Sequence, residues 1–184
     1  MKNNQLKGSR FQLPGAKTPR QTRRGFTLIE TLVAISILLV SLAGPFSIAA
    51  QSLRNAYYAR DQVTAFYLAQ EGIEYVRAFR DQNYLASQSW LTGVDNCIDV
   101  ACTVDFTNFS HAVCPSGVCS KLLISSSGGL FNHQSGSPSL FTRTLTITRV
   151  PNTNDEIVIK VTVSWTSASL NRSFQLTEHL FNWL

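Results

Sequence analysis

Residues Thr31 to Leu53 form a run of 23 without a single charged side chain. About 20 apolar residues suffice to cross a bilayer as a helix. The centre of the run, Leu32-Val33-Ala34-Ile35-Ser36-Ile37-Leu38-Leu39-Val40, is apolar on every helical face. That pattern belongs to lipid contact or to a fully buried helix, not to the surface of a soluble domain. Gly44-Pro45 interrupts the run near its far end. Pro45 removes a backbone donor and predicts a kink, which a membrane tolerates where neighbours satisfy the freed carbonyl. On the near side stands one carboxylate, Glu30, preceded by Arg23-Arg24-Gly25. A carboxylate at the edge of a membrane-length apolar run is costly to bury and calls for a partner.

Charge is distributed unevenly. The formal net charge is +5, yet seven of the 16 Lys/Arg and none of the 11 Asp/Glu fall in residues 1–25. The rest of the chain keeps nine basic and 11 acidic side chains, a net of −2. The basic character therefore belongs to the leader alone. A nucleic-acid-binding arm would carry interleaved aromatics, and this one has only Phe11 and abuts the apolar run. No nucleic-acid partner is expected. Positive charge beside an apolar helix fixes that flank in the cytoplasm, which makes the chain a single-pass membrane protein with its remainder outside.

Three readings of the amino-terminal segment compete. A cleaved secretory signal could end at Ser47-Ile48-Ala49, but its apolar region would run to only about 7–15 residues and would not contain Glu30. A plain signal anchor explains the length and the basic flank, but neither Gly25 nor Glu30. The third reading is a prepilin. Arg24-Gly25-Phe26-Thr27-Leu28-Ile29-Glu30-Thr31-Leu32-Val33-Ala34-Ile35 resembles the amino-terminal signature of type IV pilins and type II secretion pseudopilins. The resemblance implies that a membrane aspartyl peptidase cuts between Gly25 and Phe26 and that Phe26 is then N-methylated. It also implies that Glu30, fifth residue of the mature chain, neutralises the terminal ammonium of an adjacent subunit. Implied partners are the prepilin peptidase/methylase, other pilin or pseudopilin subunits, an inner-membrane assembly platform and the lipid bilayer. The implied destination is the cell membrane and then the pilus or cell surface. The leader, residues 1–25, is long and contains Pro14 and Pro19.

Helical spacing continues past the apolar run. Apolar side chains recur at Ala56/Tyr57, Val63, Phe66/Tyr67, Ile73, Val76 and Phe79, an amphipathic pattern. Arg77 can pair with Glu74 or with Asp81 at i,i+3 and i,i+4 spacing. Gly72 is the weak spot, and Asp81-Gln82-Asn83 reads as the end. Phe66 to Arg77 resembles the helical stretch of minor pilins and minor pseudopilins.

Three strand signals close the chain. Residues 141–150 alternate Thr142, Thr144, Thr146 and Thr148 against Phe141, Leu145 and Ile147. In 157–165, Ile157, Ile159, Val161, Val163 and Trp165 share one face, and 174–180 repeats the pattern. Period-two alternation of β-branched residues marks half-buried strands, and the short connections predict an antiparallel meander whose apolar face covers the helix stripe. The tail, through Phe181-Asn182-Trp183, again resembles minor pilins. The resemblance covers residues 23–50 most closely and extends over 63–80 and 141–184. The expected fold is α+β and pilin-like: a long amino-terminal helix packed on a carboxy-terminal antiparallel sheet. Its parts are a leader (1–25), a transmembrane helix (26–53), an amphipathic helix (54–83), a disulfide-bearing loop region (84–140) and the meander (141–184).

The middle region holds all four cysteines, Cys97, Cys102, Cys114 and Cys119, spaced C-x4-C-x11-C-x4-C. Zinc sites use tighter ligand pairs, and an extracytoplasmic location favours disulfides. The constant sum of the positions suits nested pairing in a hairpin. If instead 103–106 pairs with 122–124, local bridges Cys97–Cys102 and Cys114–Cys119 fit better; both schemes stay open, with the local one preferred. His111, His133 and His179 lack metal-ligand spacing, and His179 lies on the polar parity of its strand. No nucleophile motif, phosphate loop or carboxylate pair appears, so no enzymatic activity, cofactor or metal is expected.

Overall fold

The computed structural model describes residues 25–167 and 169–182. The leader up to Arg24 and the terminal Trp183, both used above, lie outside the described residues. One α-helix, α1, runs from Leu28 to Leu85 and passes through Pro45. The chain divides into two compact units, 1–48 and 49–184.

In the first unit, every described side chain from Gly25 to Ile48 is exposed. The helix polar groups there are satisfied locally. The hydroxyls of Thr31, Ser36 and Ser41 donate to the carbonyls of Leu28, Leu32 and Leu38 at 2.9, 2.8 and 2.8 Å. Back-bonding of this kind lets Ser and Thr sit in an apolar helix without an outside partner.

The second unit packs the latter part of α1 on a seven-stranded antiparallel sheet. The strands are β1 (Cys102–Asp105), β2 (Ser110–Val113), β3 (Lys121–Ile124), β4 (Phe131–Asn132), β5 (Ser137–Arg149), β6 (Glu156–Ser167) and β7 (Leu170–Phe181). The last three form the predicted meander. β5 and β6 pair from Phe141 opposite Trp165 to Arg149 opposite Ile157, and β6 and β7 from Glu156 opposite Phe181 to Ser167 opposite Leu170. Ile157, Ile159, Val161 and Val163 are completely buried on the face toward α1. Burying each such side chain contributes about 1.5–3 kcal/mol.

The other edge of β5 is shared. Its first half pairs β3 and its second half meets β1 at Cys102 opposite Leu145. The segments whose pairing would favour the local bridges, 103–106 and 122–124, do not pair with each other: β1 pairs β2 and β5, while β3 pairs β4 and β5. Thirteen residues of β5 are long enough to serve both, so each short strand finds a better template than its rival. The region 84–140, read as loop, thus supplies four strands to the sheet. The disulfides are Cys97–Cys102 and Cys114–Cys119, with Cα separations of 5.7 and 4.8 Å; this is the local scheme.

The buried face of α1 also differs from the expected stripe. Tyr57, Val63 and Tyr67 are more than half exposed. The face on the sheet is Asp61, Ala65, Leu68, Ala69, Gly72, Ile73, Tyr75 and Val76. Small residues at 65, 69 and 72 let the helix approach closely, and a reading based on bulk overlooks them. A Cβ on Gly72 would lie 3.0 Å from both γ-carbons of Val161. The glycine taken as a weak spot is therefore the point where helix and sheet touch. Arg77 pairs with Glu74 (2.6 Å) and with Glu178 on β7, whereas Asp81 is taken by Arg80 at 2.8 Å. After the helix, the Asn83 side-chain amide donates to the carbonyls of Trp90 (3.2 Å) and Thr92 (2.8 Å), which ties the following loop back to α1.

Candidate functional site: the helix start and its signature

Gly25, Phe26 and Thr27 precede α1 without regular structure. A Cβ added to Gly25 would meet nothing within 4 Å. The fold therefore does not require glycine at this position, and its presence asks for another reason, such as recognition by an enzyme. Phe26 is 80% exposed.

Thr27 caps the helix. Its Oγ1 accepts a hydrogen bond from the Glu30 backbone N–H at 3.2 Å, and its carbonyl accepts from the Thr31 N–H at 3.2 Å. Thr27-x-x-Glu30 has the spacing of a capping box, a local signal that the reading of the motif above did not use. An acid in the first helical turn is also favoured by the helix dipole. Glu30 thus has a local structural use, but it engages only the backbone N–H. Among the described residues the Glu30 carboxylate has no partner. Around it Leu28, Ile29, Leu32 and Val33 present apolar side chains to the outside. A continuous apolar surface of this extent marks contact with lipid or with other protein. By length and composition α1 is able to cross a membrane.

Pro45 lies inside α1 with no interruption of the helix. The four cysteines sit far along the chain in the folded unit, where the Cys97–Cys102 bridge is buried. Among the described residues no group of His, Cys, Asp or Glu is arranged to hold a metal. Two of the histidines, His111 and His179, are hydrogen-bonded within the folded unit. The Tyr75 hydroxyl donates to His111 Nδ1 (2.9 Å), and His111 Nε2 donates to Asn96 Oδ1 (3.0 Å); this arrangement satisfies a neutral ring. Burial pushes the Tyr75 phenol up to about 12, with the Asp105 charge adding to it. His179 reaches Glu156 at 2.6 Å on the exposed side of the sheet.

One charged residue escaped the sequence reading altogether. Arg143 is completely buried. Its guanidinium donates to the carbonyls of Leu68 (3.1 Å) and Val104 (2.6 Å) and lies 3.3 Å from a Glu71 carboxylate oxygen. Burial lowers its pKa and the Glu71 charge opposes that shift. The available signal was parity: Phe141, Arg143, Leu145 and Ile147 point to the same face.

Residues 20–44 match the family model of the prokaryotic N-terminal methylation motif. No curated protein and no solved structure matches the chain. With its amino-terminal methylation motif leading into a long helix that packs on an antiparallel sheet, the chain carries the type IV pilin-like signature and architecture.

Proposed function

We propose that this protein is a structural subunit, a minor pilin or pseudopilin, of a type IV pilus or a type II secretion-like filament. The single observation that carries the reading is the methylation motif over residues 20–44. The precursor inserts with its leader in the cytoplasm and its folded unit outside. Prepilin peptidase cuts between Gly25 and Phe26 and the new terminus is N-methylated. Cleavage discards seven positive charges and creates an ammonium group on Phe26. When apolar helices pack together, that ammonium needs a counter-charge, because an unpaired buried charge is strongly unfavourable. Glu30 on a neighbouring subunit supplies it, which fixes axial register as well as attraction. The role is structural and not enzymatic.

Mass spectrometry of the mature amino terminus tests the processing step. A chain beginning at methylated Phe26 is expected, and a chain beginning at Ala50 would end the reading. Assembly is tested by Glu30→Gln. Sheared filaments should lose the subunit while the folded unit keeps its native melting behaviour. Undiminished incorporation of the variant would refute the role given to Glu30, and absence of the wild-type chain from sheared filaments would instead support a membrane-anchored binding protein that does not polymerise.

A further inference from the structure

Four of the nine cations that follow the leader gather at one place in the folded unit. Arg54, Arg60 and Arg172 line a groove of about 560 Å³ between α1 and the end of the β6–β7 hairpin. An adjoining hollow of about 290 Å³ shares Arg172 and adds Lys121. One acid, Asp61, lies in these walls, and it is ion-paired with Arg60 at 2.9 Å. The guanidinium of Arg60 lies 5.4 Å from the ring centre of Tyr57 and that of Arg172 lies 5.2 Å from that of Tyr58. Such stacking orients a guanidinium without neutralising it. Arg54 and Lys121 have no anionic partner among the described residues. Outside these two hollows the chain after the leader has five cations and ten acids. The groove is therefore a cationic island on an acidic molecule and suits an anion.

Its place along the chain selects the anion. The helical wall begins at Gln51, and Arg54 is the residue after the uncharged run ends at Leu53. Tyr58 follows Leu53 by about 8 Å of helix at 1.5 Å per residue. The headgroup layer extends roughly 5–8 Å beyond the hydrocarbon core. Tyr and Arg are the side chains that settle at that depth, ring in the interface and charge among headgroups. We propose that the groove binds the phosphates of anionic lipid on the extracytoplasmic face and so seats the folded unit on the membrane before assembly. This rests on the membrane-anchored reading given above.

The test uses the full chain in lipid nanodiscs of phosphatidylcholine alone or mixed with phosphatidylglycerol, with amide hydrogen exchange as the readout. Exchange at 54–60 and 166–172 should slow in the anionic discs, by roughly fivefold for each cation engaged. Arg54→Gln with Arg172→Gln should abolish the difference while 31–50 stays protected in both lipids. Should the double variant loosen β5 and β6, Arg54→Gln alone, on the exposed side of α1, decides. Equal groove exchange in the two lipids, with 31–50 protected, overturns the lipid site and leaves the anchor standing. Unprotected 31–50 in both lipids overturns the anchor and the proposal with it. Slowing that follows the number of protein copies per disc, and not the lipid, assigns the groove to a second copy of the chain and also overturns the proposal.

Discussion

Gly72→Ala sets two well-measured effects against each other, and the structure decides the sign. In an exposed helix the substitution would stabilise by about 1 kcal/mol, because alanine has the best and glycine nearly the worst helix propensity. Here the new methyl would lie 3.0 Å from both Val161 γ-carbons, against a comfortable separation of about 3.5–4.0 Å. Val161 cannot yield easily. It is completely buried and sits mid-strand in β6, which is paired on both sides, to Leu145 and to Leu176. A β-branched side chain is stiff at χ1, and rotation would remove one methyl from the contact at best. Inserting a methyl into such a core costs typically about 1–3 kcal/mol. The expected net is a loss of about 0–2 kcal/mol. Val161→Ala alone should cost about 2 kcal/mol in lost methyls and cavity. The double variant should cost less than the sum by at least about 0.5 kcal/mol, since the two changes share one contact. Thermal melts of the full chain in detergent, followed through the buried Trp165, measure all three. A Gly72→Ala variant more stable than wild type, with additive effects in the double variant, would refute the close approach of α1 to β6.

The pair of Glu71 and Arg143 gives a second prediction. Glu71→Leu strands a buried guanidinium and should cost about 3–5 kcal/mol, whereas Glu71→Leu with Arg143→Met should recover most of that loss, because replacing a buried pair by apolar groups is often neutral; denaturant titration of the three variants checks it. Acid should weaken the folded unit in two steps. Burial lowers the pKa of His111 and of His133, the latter also through the Arg143 charge against the Asp105 charge. The unfolded chain then takes up protons first, so stability is complete above the ordinary histidine value of 6.5 and falls as pH drops below it. Asp105 is pushed up by burial but further down by hydrogen bonds from Thr107 and the His133 N–H. Its contribution is present above 3.8 and is lost below that, as pH falls through the folded value. Melting temperature against pH should show both slopes, and His111→Gln with His133→Gln should remove the upper one.

The parts of the fold that were legible obey a period. In β6 the residues Ile157 to Trp165 alternate strictly, and alternation survives because one face is buried and the other wet. The membrane run is legible because every position in it obeys one constraint. What escaped was set by contacts between distant positions. Arg143 is a cation on the mostly apolar face of β5, and alternation alone does not mark a cation as buried. The Glu71 carboxylate, the Leu68 and Val104 carbonyls and the nearby Asp105 charge make that burial tolerable, and they come from other elements. Large side chains do not mark the buried face of α1, because close packing on β6 selects Ala65, Ala69 and Gly72. The arginine groove joins positions 54 and 172, and no local pattern connects them. At the helix start, by contrast, both the motif and the Thr27 cap are local spacings.

Arg143 and Glu30 show the two ways this chain treats a charge in apolar surroundings. Arg143 is fully enclosed, and the chain surrounds it with a carboxylate and two carbonyls of its own. Glu30 stands among exposed apolar side chains, and its carboxylate has no partner among the described residues, although nearby Thr31 and Ser36 have their hydroxyls satisfied within the helix. Lipid alone would cover the apolar surface but would offer the carboxylate no cation in the hydrocarbon region. A water-facing position at the interface would satisfy the carboxylate, and the Thr27 cap would then be sufficient reason for an acid there. That explanation does not reach Gly25, which the fold does not need. The proposed cleavage after Gly25 would link the two residues, because it would produce a cation four residues from the acid. In a bundle of staggered helices each can be buried against the other's neighbour. A glycine that the described fold does not need and a carboxylate without a partner among the described residues together support the assembly proposed above over anchorage alone.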